Sequence, residues 1–166
     1  MRNEYASQPW LAVIASLEQI ATDLDGAGLE AADVRKVAAV AAHDRAVLDE
    51  VTEPRLPAGD LWTVNALMDP AAAEPVITGV LDFDRTWFGD PAADWTIRMA
   101  RVKADERTAF WEFYGALDQA PAAVRRARVY EARNLGAIRL ERHRLAKADA
   151  VRESSGAMAE VLAGLT

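Results

Sequence analysis

The chain has 166 residues, a formal net charge of −7 and an apolar share of 51%, which is enough for one domain with its own core. It has no cysteine, which excludes disulfides and thiolate metal sites. It contains no apolar run of roughly eighteen residues, so no membrane-spanning helix is expected, and its acidic balance argues against a general nucleic-acid surface. The first ten residues, MRNEYASQPW, carry no apolar leader, so a cytoplasmic protein is the plain reading.

Taken in order, the first expected helix has Ser7 as its cap and Pro9 in its first turn. Trp10, Val13, Ile14, Leu17, Ile20, Ala21 and Leu24 follow at helical spacing, and Gly26 and Gly28 end it. A second helix is expected from Ala31 to about Val51, with Val34, Val37, Val40, Ala41, Val47 and Leu48 on its apolar face. Pro54 and Pro57 stop it and deliver extended chain toward Asp60. Two short runs, Ala66 to Met68 and Val76 to Leu81, read as strands of a hairpin joined through Asp69 to Pro75.

Asp90 caps and Pro91 opens a third helix, reaching about Val102. A fourth covers about Asp105 to Leu117, with Phe110, Trp111, Phe113, Tyr114 and Leu117 expected to pack inward. Pro121 starts a fifth, from Ala122 to about Asp149, in which Gly136 marks either a close approach or a kink. Arg125, Arg126, Arg128, Arg133, Arg139, Arg142 and Arg144 spread around it and read as a solvated face. A last helix runs from about Ser155 to Ala163. His43 and His143 lie in helical patterns far in sequence from the acidic stretch and read as ordinary surface or core histidines. The expected fold is a single domain over residues 1–166, α+β but mostly α, with one small two-stranded element carrying polar residues.

That element sits in the stretch from Arg55 to Asp94, which gathers Asp60, Asn65, Asp82, Asp84, Asp90 and Asp94. Closing the hairpin brings Asp82 near Asn65, with Asp60 one loop away. Two carboxylates and an amide in one cleft offer hard oxygen ligands of the kind Mg²⁺ takes beside a phosphate. The interval from Asp60 to Asn65 matches that of a protein-kinase catalytic loop, in which an Asp handles the acceptor hydroxyl and an Asn binds Mg²⁺. The kinase metal Asp follows a strand, as Asp82 does in Asp82-Phe83-Asp84.

Three blocks in order, Gly59-Asp60-Leu61-Trp62-Thr63-Val64-Asn65, Gly79-Val80-Leu81-Asp82-Phe83-Asp84 and Gly89-Asp90-Pro91-Ala92-Ala93-Asp94, resemble the aminoglycoside phosphotransferase and choline/fructosamine kinase-like group. The resemblance implies the C-terminal, catalytic lobe of a kinase-like fold. It also implies Mg²⁺-dependent transfer of phosphate from ATP or GTP to the hydroxyl of a small molecule such as an aminoglycoside, another amino sugar or a ketosamine. Neither a nucleic-acid nor a membrane partner is implied. In that scheme Asp60 orients the acceptor hydroxyl and takes its proton, and Asn65 and Asp82 hold Mg²⁺. Asp94 accepts hydrogen bonds from the catalytic-loop backbone. Asp84 stays open between a metal-proximal role and a solvated turn, and Trp62 between an acceptor-site wall and packing on the lobe. Asp90 is read as a helix cap.

The sequence also departs from that group. It has no Gly-rich loop and no Val-Ala-x-Lys strand ahead of Asp60, so the N-terminal β-lobe is expected upstream, or in trans, or as naturally lost. Ala58 stands where the group usually has a supporting His, and Asp84 where protein kinases have Gly. The alternative function is a non-catalytic kinase-like binding module without the nucleotide-binding lobe. A rival reading takes Val80-Leu81-Asp82-Phe83-Asp84 as the nucleophile motif of a dehalogenase-type phosphatase. It requires a parallel α/β sheet and is set aside because everything downstream reads as helix.

Overall fold

A computed structural model of the chain describes residues 8–61, 63–83, 85–94, 104–115 and 118–166. Trp62, Asp84, the expected cap Ser7, Leu117 and most of the expected third helix lie outside those residues.

Helix α1 (Pro9–Gly26) starts with proline at its first position, where no intrahelical N–H is required. Its stripe of Val13, Leu17, Ala21 and Leu24 is fully buried. It ends as the glycines suggest. Gly28 adopts φ +72°, its N–H donates to the Asp25 carbonyl, and the Leu29 N–H reaches back to the Leu24 carbonyl, each at 2.9 Å. Helix α2 (Ala32–His43) buries Val34, Val37, Ala38 and Ala41.

The expected continuation of α2 to Val51 is not observed. The helix closes at Asp44 (φ −94°, ψ 24°), and a separate short helix, α3 (Arg45–Asp49), follows and buries Leu48. The break has a tertiary cause, because the Asp44 carboxylate pairs with Arg125, far along the chain.

Strands β1 (Ala66–Met68) and β2 (Ile77–Val80) form an antiparallel pair in the register Ala66↔Val80, Leu67↔Gly79 and Met68↔Ile77. They are the only sheet among the described residues, which leaves the phosphatase reading without its parallel sheet. Helix α4 (Ala104–Tyr114) departs from expectation in its packing. Phe113 is 90% exposed and Tyr114 is exposed, while the rings of Phe110 and Tyr114 stack at 5.0 Å with Trp111 edge-on to both. Phe110 and Trp111 are half-buried, as expected, and Phe110 and Tyr114 meet one turn apart along the helix.

Helices α5 (Pro121–Arg144) and α6 (Ala148–Ala163) form a helical hairpin that packs, with α1 and α2, around the core. The expected boundary near Asp149 is wrong. α5 stops at Arg144, and α6 begins at Ala148 rather than Ser155. Ala146 turns left-handed (φ +55°), and the Ala146 and Lys147 N–H groups donate to the His143 and Arg142 carbonyls, each at 2.9 Å. This is the same cap that ends α1, built without glycine. Gly136 is a close approach: a Cβ there would lie 2.8 Å from Ile20 Cγ2 and 3.3 Å from Val34 Cγ2.

Of the seven arginines of α5 only Arg144 is exposed; the others are half-buried or buried and do not form a solvated face. Arg139 is 1% exposed and makes a two-pronged pair with Asp33 at 3.0 and 2.6 Å, with a third bond to the Glu30 carbonyl at 2.9 Å. Arg126 donates to Asp90 at 3.0 Å, Glu50 at 2.9 Å and the Val47 carbonyl at 3.0 Å. Arg125 joins Asp44 to the Leu165 carbonyl. A planar fork on a long stem can tie one element to several others, which helical periodicity does not reveal. His43 and His143 are exposed. No described helix is long and apolar enough to cross a membrane.

Candidate active site

The acidic stretch is closed into a loop at its base. Arg55 and Gly89 exchange two backbone hydrogen bonds, at 2.8 and 2.9 Å, so the entry to the Asp60 turn lies beside the exit from the Asp82 segment. Gly59 then crosses the backbone of Arg85. It adopts φ +80°, and a Cβ there would sit 2.4 Å from the Arg85 carbonyl oxygen, so only glycine fits.

Asp94 fastens this turn from below. Its Oδ2 accepts the Ala58 N–H at 3.0 Å and its Oδ1 the Gly59 N–H at 2.7 Å. Hydrogen bonds to an ionised carboxylate are about twice as strong as neutral ones, so two together hold the backbone just before Asp60 firmly. Thr86 adds a weaker bond from Oγ1 to the Ala58 carbonyl, at 3.3 Å. The loop is thus braced even with alanine at position 58.

A turn of 3-10 helix, Thr63–Asn65, carries Asn65 into a nearly buried position. Its Nδ2 donates to the Asp60 carbonyl at 3.0 Å, which leaves Oδ1 as the acceptor end of the amide. Its own carbonyl accepts the Leu81 N–H at 2.8 Å, which places Asn65 beside the residue preceding Asp82. Asp82 itself takes a left-handed conformation, φ +62°, two residues past the end of β2. Asp tolerates that region better than most residues, and such conformations gather where a side chain must be aimed.

The Asp60 carboxylate faces a residue that the sequence reading missed. Arg85 Nη1 lies 3.6 Å from Asp60 Oδ2, and Arg85 Nη2 donates to Glu141 Oε2 on α5 at 2.8 Å. One guanidinium therefore links the Asp60 turn to the helical scaffold. Both partners are about one-third exposed, so the Asp60 pair adds orientation rather than much net stability. Its only sequence signal is a basic residue immediately after an acidic block.

Asp90 does more than cap. Oδ1 accepts the Ala92 N–H at 2.9 Å in the cap role, while Oδ2 takes Arg126 Nε at 3.0 Å and the Tyr130 hydroxyl at 3.1 Å. Burial, then the Asp90 charge, pushes the Tyr130 phenol well above the ordinary tyrosine range. Trp87 lies edge-on to Tyr130, with ring centroids 6.1 Å apart. The segment from Arg85 to Asp94 is pinned to α5 through these contacts. Trp62 and Asp84 fall outside the described residues, and no geometry bears on them.

The structure thus joins Asp60, Asn65, Arg85 and Asp94 through one set of hydrogen bonds and ion pairs, with Asp82 on the adjoining strand end. No cluster of three or more His, Cys, Asp or Glu able to hold a metal ion occurs among the described residues. Mg²⁺ keeps most of its waters and takes one or two protein oxygens plus substrate phosphates, so an amide and a carboxylate are donor types it uses.

No family model and no curated protein matches the sequence. Among solved structures, the GDP complex of a point mutant of an aminoglycoside 2'-phosphotransferase is similar, with a TM-score of 0.51 at 20% identity. The alignment covers 91% of this chain and 50% of that one, so this chain spans about half the length of that protein. At this identity the likeness shows a kinase-like fold and carries no substrate.

Proposed function

We propose that the chain is the catalytic, hydroxyl-handling part of a kinase-like phosphotransferase, cytoplasmic and Mg²⁺-dependent, acting on a small molecule such as an aminoglycoside or another amino sugar. The observation that carries this reading is the linkage of Asp60 to Asn65, and of Asn65 to the strand end bearing Asp82. Asp60 orients the acceptor hydroxyl and receives its proton as the bond to phosphorus forms. Asp94 fixes the turn on which Asp60 stands, and Arg85 fixes the direction of its carboxylate. Asn65 and Asp82 are the residues that would hold Mg²⁺. When bound with the phosphates of ATP or GTP, the ion neutralises the charge of the transferring group. Asp84 is proposed as metal-proximal and Trp62 as a wall of the acceptor site, both by resemblance alone.

Phosphoryl transfer is mostly positioning and electrostatics, and the sequence offers no Gly-rich loop or paired lysine to clamp the β- and γ-phosphates. A lobe supplied upstream or in trans completes the site in this reading. The test is Mn²⁺ titration followed by paramagnetic relaxation, for the wild type and for Asp82→Ala. Weak binding is expected, weakened further by the substitution, and equal binding by both would overturn the metal assignment. Calorimetry with ATP and GTP in the presence of Mg²⁺ should show feeble binding by this chain alone and recovery when a nucleotide-binding lobe is added. A second reading, a non-catalytic binding module, draws on the Asp60–Arg85 pair, which already engages the candidate proton acceptor. It predicts small-molecule binding without turnover even with the lobe present.

A further inference from the structure

Among the arginines of α5, Arg128, Arg133 and Arg144 make no ion pair among the described residues, and of these three only Arg133 has its guanidinium held by both a hydrogen bond and an aromatic ring. Arg125, Arg126, Arg139 and Arg142 each have a carboxylate partner, namely Asp44, Asp90, Asp33 and Glu153. Arg133 is partly buried and has no ion pair among the described residues. Its guanidinium is nonetheless held in a fixed pose. Nε donates to Ser16 Oγ on α1 at 2.7 Å, and the group lies over the Trp87 ring, 5.2 Å from its centroid.

Trp87 is itself a rigid platform. The ring covers Gly89 so closely that a Cβ there would lie 2.6 Å from it, and Tyr130 packs against it edge-on. The two terminal nitrogens of Arg133 make no protein hydrogen bond among the described residues, and they are not sealed from solvent. Arg85, from the same segment as Trp87, is already engaged by Asp60 and Glu141, which leaves the Arg133 fork as the open one. Burial, then the Arg85 charge, lowers the proton affinity of Arg133, so the cation sits in an environment that resists it. A cation kept in such a place with its fork open is balanced by an anion.

We propose that Arg133, held over Trp87 by Ser16, is a binding site for a compact oxyanion, a phosphate or carboxylate group of a small molecule. The terminal nitrogens of a guanidinium match two oxygens of such a group, and the indole and Ser16 pre-pay the ordering of the long side chain. The proposal does not depend on the phosphotransferase reading. It favours ligands with an anionic substituent and disfavours an amine at the same position.

The experiment uses the whole chain, without nucleotide or divalent metal. The Trp87 indole N–H and Arg133 Nε–Hε resonances are followed by NMR at fixed ionic strength. The titrants are inorganic phosphate, acetate and, as a counter-probe, a polyamine. Fixed ionic strength matters because exposed charge interactions are screened by salt. Saturable shifts of both resonances with an anion, and none with the polyamine, are expected. Tighter binding of phosphate than acetate assigns the site to phosphate esters, and the reverse assigns it to carboxylates. Arg133→Gln should weaken the anion roughly tenfold or more, as loss of a charge-assisted bond implies, and Arg133→Lys by less. An absence of saturable shifts in the wild type overturns the proposal, as does unchanged affinity in a folded Arg133→Gln. If the glutamine variant fails to fold, the wild-type titration and Arg133→Lys decide. Shifts confined to residues away from Trp87 and Arg133 then overturn it.

Discussion

Leu17, Val34, Leu135 and Met158 of the helical scaffold are sealed from solvent, whereas Leu56, Val64, Ile77 and Phe83 of the acidic segment are more than half exposed. The scaffold is ordered chiefly by burial, which is non-directional and tolerant of small shifts in atomic position. The segment has little of that to draw on. It is ordered by directional contacts reaching in from its own C-terminal end and from α5: Asp94 to the Ala58 and Gly59 amides, Arg85 to Asp60 and Glu141, and Asp90 to Arg126 and Tyr130. A site whose side chains must be placed precisely in angle is better served by hydrogen bonds than by apolar packing. The consequence is testable, because anchors can be cut in either region and the damage should differ in kind.

The largest loss is expected within the scaffold. Asp33→Ala leaves Arg139 charged, buried and without its two-pronged partner. Unpairing a buried charge costs about 3 kcal/mol, and that should appear as a lower urea midpoint with an unchanged slope. A loss below about 1 kcal/mol would mean that water reaches the guanidinium and that the pair is not a buried one.

Cutting an anchor of the segment should act locally. Asp94→Ala removes two charge-assisted bonds from backbone N–H groups next to the surface, at a global cost of about 1–2 kcal/mol. Amide exchange at Ala58 and Gly59 should accelerate by roughly tenfold or more, while the amides of α1 and α5 keep their protection. Uniform acceleration across the chain would show that the segment and the scaffold unfold as one unit.

Tyr130 tests the contact between the two regions. Its phenol pKa is raised in the folded protein above the unfolded value of about 10, so the folded state keeps the proton longer. The stabilisation is complete below about pH 10 and is lost as pH rises past the unfolded value, where only the unfolded chain releases its proton. Of the three tyrosines in the sequence, Tyr130 should therefore ionise only as the fold gives way. Absorbance at the tyrosinate band, compared with circular dichroism during an alkaline titration, checks this. Full ionisation of all three with the helices intact would contradict the buried Asp90–Tyr130 bond.

What the sequence discloses follows the same division. The hairpin is legible because its strands are short apolar runs bounded by Pro and Asp, and it closes with Asn65 beside the Asp82 strand end. The apolar stripe of α1 is legible because its burial repeats with the helical period. Arg85, Arg126 and Arg139 are illegible as anchors because their partners lie 25 or more positions away, and no local pattern encodes an ion pair of that span. The break at Asp44 is hidden for the same reason, since its cause is Arg125. Phe113 and Tyr114 of α4 mislead in the opposite sense, because an apolar pattern at helical spacing reads as buried while these two side chains are exposed.

The smallest expected effect concerns a boundary that local chemistry usually marks. α1 and α5 end in the same left-handed cap, with Gly28 at the turn in one and Ala146 in the other. Glycine marks the first end and alanine, a good helix former, conceals the second. A residue with a Cβ held at φ +55° pays about 1–2 kcal/mol that glycine does not, offset in part by the larger entropy that glycine loses on folding. Ala146→Gly should therefore raise stability by about 1 kcal/mol, read as a higher urea midpoint. The converse change, Gly28→Ala, should lower it by a similar amount, because nothing lies within 4 Å of a Cβ there and only the backbone cost is at stake. Paired shifts of opposite sign at two ends of like geometry would isolate that cost. If Ala146→Gly instead destabilised the protein, the turn between α5 and α6 would owe its conformation to packing by the Ala146 methyl group rather than to the cap.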